Sequence, residues 1–183
     1  MLPRALRGIA DELERRRGEV LAEVEGISQR QADWRPAHDH WSLGEVLHHL
    51  VLAEGIAGKM VSVAVKRVAE AESLPPYPAE VDAFSWRAPS PDDRWLVRVP
   101  EPAAPNHGQP IDALREAFTT QRALTEKVLQ RLTQIDPRAI TTVHPLIGEM
   151  NAAQWYLFCE YHMRVHLRQM KDAKAAPAFP DHE

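Results

Sequence analysis

The stretch "SLGEVLHHLVLAEGIAGKMVSVAVKRVAEA", residues 42–71, decides the fold class. Ser42 stands three residues before Glu45, which is the spacing of a capping box that satisfies free backbone N–H groups at a helix start. Apolar side chains then return at helical intervals on one arc, formed by Leu43, Val46, Leu47, Leu50, Ala53 and Ala57. The stretch therefore predicts a long helix over residues 43–71 with one side turned toward a core.

Three more segments carry the same pattern. Apolar periodicity predicts helices over residues 4–28, 110–132 and 151–171. The last of them opens with a second capping box, made by Asn151 and Gln154. Four long helices, without internal repeats or an evident sheet, indicate an all-α fold, a four-helix bundle.

A Pro-rich crossover at residues 72–109 separates the second and third predicted helices. Each proline removes a backbone donor and biases the residue before it away from the helical region, so we expect no long helix there. Aromatic residues favour packing on the bundle over disorder, and the crossover contains Phe84, Trp86 and Trp95. The segment "RWLVRV", residues 94–99, is a candidate for a short strand.

The length of the chain, 183 residues, suits one domain that buries its own core. We place this domain at residues 1–176, with the crossover as an insertion, and expect a loose C-terminal tail at residues 177–183. Cys159 is the only cysteine, so an intramolecular disulfide is excluded and a reducing cytoplasm fits best.

Charge and hydropathy limit the function classes. The chain has 22 Lys plus Arg against 26 Asp plus Glu, and a net charge of -4 gives no electrostatic attraction to nucleic acid. The N-terminus lacks the apolar core of a signal peptide, and no stretch approaches the roughly 18 uncharged apolar residues of a spanning helix. We therefore expect neither nucleic-acid binding nor membrane insertion.

Two histidines near the end of the chain lie on one side of the last predicted helix. In "CEYHMRVHLRQM", residues 159–170, His162 and His166 are four positions apart and so roughly 40° apart around the helix axis. The same face carries Trp155 and Phe158, which indicates that both imidazoles turn toward the core.

The second predicted helix offers a third histidine. His49 lies on the flank of the apolar arc, whereas His48 lies nearly opposite it. Buried imidazoles require hydrogen bonds or a metal. Three imidazoles that leave a position open are the ligand set of a catalytic metal site, and simple hydrogen bonds to carbonyls or carboxylates are the alternative.

Four further residues near these histidines carry groups that could take part in chemistry or in structure. Glu54, about one turn beyond His49, is a candidate general base. Gln169 is a candidate for orienting a metal ligand, or simply an interhelical hydrogen-bonding group. Cys159 is a candidate fourth ligand or reactive thiol, although a lone buried cysteine usually behaves as a small apolar residue. Glu45 is explained by its capping position.

Two segments resemble the DinB/YfiT-like superfamily. "WSLGEVLHHLVLAE", residues 41–54, is similar to the second-helix motif of that family, and "HPLIGEMNAAQWYLFCEYHMRVHLRQM", residues 144–170, is similar to its closing segment. The two occur in the family's order. The resemblance implies a DinB-like four-helix bundle, often a homodimer, in which a zinc, nickel or iron type of divalent ion is held by His49, His162 and His166.

The same resemblance implies a function. Some members are transferases that act with a low-molecular-weight thiol of the bacillithiol or mycothiol type, and others are regarded as metal-dependent hydrolases. We expect thiol transfer to a small-molecule substrate first and hydrolysis second. A non-catalytic bundle, in which the metal or a histidine cluster serves stability or sensing, is the alternative from another class. The crossover at residues 72–109 matches no motif of the family.

Overall fold

Four long helices and one short one are present in the computed structural model, which describes residues 1–69, 75–88 and 99–181. In chain order the helices are α1 (Arg4–Glu23), α2 (Gln29–Asp33), α3 (Leu43–Ala69), α4 (Ile111–Arg131) and α5 (Ala152–Lys174). Going around the bundle, the long helices follow each other as α1, α5, α3 and α4. The prediction of an all-α bundle is confirmed.

Both predicted capping boxes are present. The backbone N–H of Ser42 donates to Oε2 of Glu45 at 2.9 Å, and the N–H of Glu45 donates to Oγ of Ser42 at 3.2 Å. At the start of α5, the backbone N–H groups of Asn151 and Gln154 each donate to the other's side-chain oxygen, both at 2.9 Å. These bonds satisfy N–H groups that have no partner inside the helix, so they fix where α3 and α5 begin.

Two predicted segments differ from the structure. The first helix ends at Glu23 rather than near residue 28, because Gly26 takes a left-handed conformation with φ 68° and Ser28 caps the short α2. The connector before α5 contains a hairpin, in which β1 (Thr141–His144) pairs antiparallel with β2 (Gly148–Asn151). Strands of four residues are too short to show a periodicity, which explains why this hairpin was not predicted.

The described parts of the crossover pack on the bundle, as predicted. Trp86 makes edge contacts with Phe158 and Tyr161 of α5, with ring centroids 5.8 Å apart in both cases. Phe84 packs partly buried against the core, and a single 3-10 turn, Glu101–Ala103, lies on α3. Trp95 and nearly all of the candidate strand at residues 94–99 lie outside the described residues.

The C-terminal tail, expected to be loose, packs on the bundle as far as Pro180. Phe179 meets the edge of Trp34 at 5.5 Å between centroids. The side-chain amide of Gln31 donates to the carbonyl of Pro180 at 2.9 Å. One apolar side chain and one backbone acceptor therefore hold this segment in place.

Helix α3 is more apolar than the sequence analysis allowed when it found no stretch of the length and composition of a spanning helix. By length and composition alone it is the one described helix that is apolar enough to cross a membrane. In the structure it is a core helix, and side chains such as Leu47, Leu50 and Ala57 are buried in the interior of the bundle. Core packing accounts for the apolar character of this buried side, which makes up 39% of the apolar window.

Candidate metal centre

Three histidines meet where α3 faces α5. Nε2 of His162 lies 3.0 Å from Nε2 of His49 and 3.0 Å from Nε2 of His166. A zinc ion bound by imidazoles at about 2.0 to 2.1 Å in a tetrahedral site holds its nitrogens roughly 3.3 Å apart. The observed spacing therefore fits one shared ion after shifts of a few tenths of an ångström. His48, by contrast, accepts a hydrogen bond from the backbone N–H of Asn106.

The Nδ1 atoms of two of these rings are held by acceptors. Nδ1–H of His49 donates to the carbonyl of Ala103 at 2.7 Å, and Nδ1–H of His166 donates to Oε1 of Gln169 at 2.8 Å. Because each neutral ring has one proton, Nε2 of both residues carries a lone pair directed at the cluster. Such outer hydrogen bonds orient metal-binding histidines and make them more basic.

Hydrogen bonds alone do not satisfy this cluster. Two lone pairs, on Nε2 of His49 and of His166, face Nε2 of His162, which has at most one proton to donate. In one of the two 3.0 Å contacts, therefore, two nitrogen lone pairs face each other with no proton between them. A cation bound by all three nitrogens removes this mismatch, so the donor set fits a divalent ion.

The environment keeps these imidazoles neutral. Burial, together with the neighbouring histidines, holds the pKa of His162 well below its ordinary value. Burial and the neighbouring His49 together lower the pKa of His166 to about 3, against the opposing effect of its bond to Gln169. Burial also lowers the pKa of His49, against the opposing effect of its bond to Ala103. Neutral imidazole is the form that binds metals.

A cavity of about 150 Å³ opens beside the three histidines. Its wall is mostly apolar and is supplied by α3, by the end of the crossover, by the hairpin of β1 and β2 and by α5. It includes Ala53, Ile56, Val99, Pro100, Leu146 and Val165. Phe158 stacks on His162 at 5.2 Å between centroids, and Trp41 stacks on His166 at 6.0 Å. The rings are thus fixed from outside while the cavity leaves one side of the centre accessible.

His144, at the end of β1, is a fourth histidine in the cavity wall. Its Nδ1 accepts hydrogen bonds from the backbone N–H groups of Leu146 and Ile147, both at 3.2 Å. Its ring packs against Trp155 and Phe158. No role was predicted for it from the sequence, because its place in the cavity wall depends on the hairpin of β1 and β2 and not on a helical spacing.

The family model of the DinB superfamily matches residues 12–170. The chain belongs to the DinB superfamily. It is also similar to a Bacillus subtilis (strain 168) protein named "Uncharacterized protein YuaE", with 28% identity over 165 residues that cover 85% of this chain and 91% of that protein. No solved structure was found to match the chain.

Glu54 lies apart from the three-histidine cluster of this DinB protein. Arg17 of α1 approaches its carboxylate with two nitrogens, at 2.5 and 3.0 Å, and Thr125 of α4 donates to Oε1 at 2.6 Å. Both oxygens are therefore occupied, and Glu54 is not among the described residues that line the cavity. This position favours a structural role for Glu54 over the predicted role of general base, because its carboxylate is one half of a buried ion pair that joins three helices.

The positions of Gln169 and Cys159 favour one of the two predicted roles in each case. Gln169 bonds a ring of the metal centre, which is the orienting position. Cys159 is buried and is not one of the three residues whose ligand atoms come together, which lie within 4.8 Å of one another. Burial also raises the pKa of its thiol far above the ordinary value, so the thiolate does not form at neutral pH. Its environment fits an apolar packing role.

Proposed function

We propose that this chain holds a divalent ion of the zinc, nickel or iron type through His49, His162 and His166 and transfers a low-molecular-weight thiol to a small electrophile. The observation that carries the proposal is the convergence of three Nε2 atoms at 3.0 Å with too few protons to bond one another. When bound, the ion supplies positive charge that favours a thiolate over a thiol near neutral pH.

The cavity wall favours thiol chemistry over hydrolysis. No aspartate or glutamate is among its described residues, and Nδ1 of His144 already accepts two backbone bonds. The wall therefore offers no carboxylate as a general base for activating water. A thiol, with an ordinary pKa of about 8.5, needs far less assistance to lose its proton than water does. The apolar surroundings also suit sulfur and an apolar electrophile.

The remainder of a bacillithiol or mycothiol molecule needs a second compartment. A cavity of about 150 Å³ holds a group of roughly the size of benzene, so a polar thiol can insert only its sulfur end. A groove of about 1000 Å³ adjoins it, because Val165 lines both. Arg164, Arg168 and Gln169 line this groove and offer donors to carboxylate and hydroxyl oxygens. Such thiols are kept reduced in the cytoplasm, the compartment that the single cysteine predicts.

The first test is elemental analysis of protein purified without an affinity tag. We expect one divalent ion per chain, lost in His49→Ala and retained in His48→Ala, the neighbouring histidine that lies outside the cluster. The second test mixes the loaded protein with each candidate thiol and 1-chloro-2,4-dinitrobenzene and follows the conjugate by absorbance. Conjugation that depends on the ion supports the proposal. A full complement of metal without conjugation by any thiol would favour a structural or sensing role.

A further inference from the structure

We infer that His144 donates its Nε2–H to an acceptor atom of the molecule that occupies the cavity, and so selects ligands with a carboxylate or carbonyl oxygen. His144 acts here as a positioning residue: it holds the ligand beside the three-histidine centre. The inference rests on the proposed function, because the ligand it orients is the one that reaches the same centre.

The turn between β1 and β2 fixes which nitrogen of His144 carries the proton. Nδ1 accepts from the backbone N–H groups of Leu146 and Ile147, both at 3.2 Å. A nitrogen that accepts hydrogen bonds has no proton of its own, so the proton of the neutral ring is on Nε2. The other tautomer would set an N–H against two backbone N–H groups and leave both of them without an acceptor.

Packing fixes where the ring of His144 lies. Its centroid is 4.8 Å from that of Phe158 and 5.1 Å from that of Trp155, and the side chain is 8% exposed. Phe158 in turn stacks on His162. The ring lines the same cavity as the three clustered histidines. Since Nδ1 faces the turn, Nε2 is on the opposite edge of the ring.

The donor on Nε2 has no acceptor within the part of the chain that the structure describes, where every bond of this ring is made by Nδ1. Nε1–H of Trp155, in the same cavity wall, is a buried donor that also has no acceptor among those residues. Burial also lowers the pKa of His144 to about 4, which keeps the ring neutral at pH 7. A wall that offers donors and no carboxylate favours ligands that bring acceptors and disfavours ammonium groups.

Two substitutions separate the nitrogens of His144. In His144→Asn the side-chain oxygen takes the place of Nδ1 and keeps the turn, but the donor at the Nε2 position is lost. In His144→Gln the side-chain amide takes the place of Nε2 and restores that donor. We would load each protein with Co²⁺, follow the visible spectrum, and then titrate acetate, whose carboxylate fits a cavity of about 150 Å³.

We expect similar Co²⁺ affinity in all three proteins, acetate affinity roughly 3- to 10-fold weaker in His144→Asn, and recovery to within about 2-fold in His144→Gln. Equal acetate affinity in wild type and His144→Asn, or no acetate response in the wild type, would overturn the role of His144 while leaving the metal centre intact. Failure of the wild type to bind Co²⁺ would overturn the proposed function and this inference with it.

A second measurement needs neither metal nor substitution. Nitrogen-15 NMR of the metal-free wild-type protein at neutral pH distinguishes a protonated from an unprotonated ring nitrogen. The geometry requires His144 to show a protonated Nε2 and an unprotonated Nδ1. The opposite tautomer, or a doubly protonated ring, would overturn the inference directly.

Discussion

The side chains of His166 and Gln169 form one hydrogen-bonded unit on α5, with Nδ1–H of the imidazole donating to Oε1 of the amide at 2.8 Å. The bond keeps the proton on Nδ1 and leaves the Nε2 lone pair directed at the other two histidines. An amide three residues along the helix thus fixes the proton position of the His166 ring, and with it the direction of a lone pair that is a candidate metal ligand.

Removing that amide should weaken metal binding without unfolding the protein. We expect Gln169→Leu to lower the affinity for Zn²⁺ by about 10- to 100-fold, because the ring of His166 loses the acceptor that fixes its tautomer. Gln169→Glu keeps an acceptor in the same place and should retain the affinity. Competition against a zinc-sensitive dye measures both variants. Unchanged affinity in the leucine variant would show that packing against Trp41 alone orients the ring.

Acid should destabilise the metal-free protein more than the variant that lacks His144. Burial lowers the pKa of His144 from 6.5 to about 4. Below about pH 6.5 the unfolded chain takes up a proton on His144 and the folded chain does not. The contribution of this residue to the free energy of unfolding is therefore fully present above pH 6.5 and is lost as the pH falls toward 4. The full effect is roughly 3 kcal/mol. Urea unfolding at about pH 7 and about pH 5 should show a smaller loss for His144→Asn, and equal losses would contradict the assignment.

Glu54 should matter for stability and not for the metal. We expect Glu54→Ala to lower the free energy of unfolding by about 3 to 5 kcal/mol, because it leaves the guanidinium of Arg17 buried without its partner. Glu126→Ala is the matched control, since the pair between Glu126 and Arg122 is exposed and should contribute within about 1 kcal/mol. Urea denaturation gives both values. Loss of bound Zn²⁺ from folded Glu54→Ala would show that Glu54 contributes to metal binding.

The clustered histidines and Glu54 show which parts of the site could be predicted from the sequence. Helical periodicity tells which side of a helix a residue occupies, and this was enough to choose His49 over His48 and to bring it to His162 and His166. Periodicity does not tell which residue of a neighbouring helix an inward side chain will contact. Glu54 was placed on the inward side correctly, yet its partner Arg17 lies 37 positions earlier on another helix, and only the packing of the bundle brings them together.

The role of His144 was hidden for a different reason. Its position depends on a hairpin of four-residue strands and its tautomer on two backbone N–H groups of the turn, and neither feature appears as a spacing of side chains. Capping boxes, by contrast, are encoded by two residues three positions apart. Ser42 with Glu45 and Asn151 with Gln154 were therefore both found from the sequence.

Trp86 should influence the choice of electrophile more than the metal content. Its edge contacts hold Phe158, which forms part of the cavity wall and stacks on His162. We expect Trp86→Ala to cost about 1 to 2 kcal/mol of stability and to admit bulkier electrophiles at unchanged metal content. Trp34→Ala removes an edge contact with Phe179 of the tail and should cost similar stability without changing the substrate range. Identical ranges in the two variants would show that the crossover does not shape the cavity.

The final prediction decides which sulfur takes part in the reaction. His166→Ala should abolish both metal retention and turnover, because two remaining imidazoles are too few to hold the ion. Cys159→Ala should leave both largely intact, since this thiol is buried, is absent from the three-histidine cluster, and has its pKa raised by burial. Elemental analysis and the thiol conjugation assay, applied to both variants, give the comparison. Full activity of His166→Ala after exhaustive chelation would reject metal-dependent catalysis. Loss of activity in a folded, metal-loaded Cys159→Ala protein would show that the reactive sulfur belongs to the chain and not to a thiol from solution.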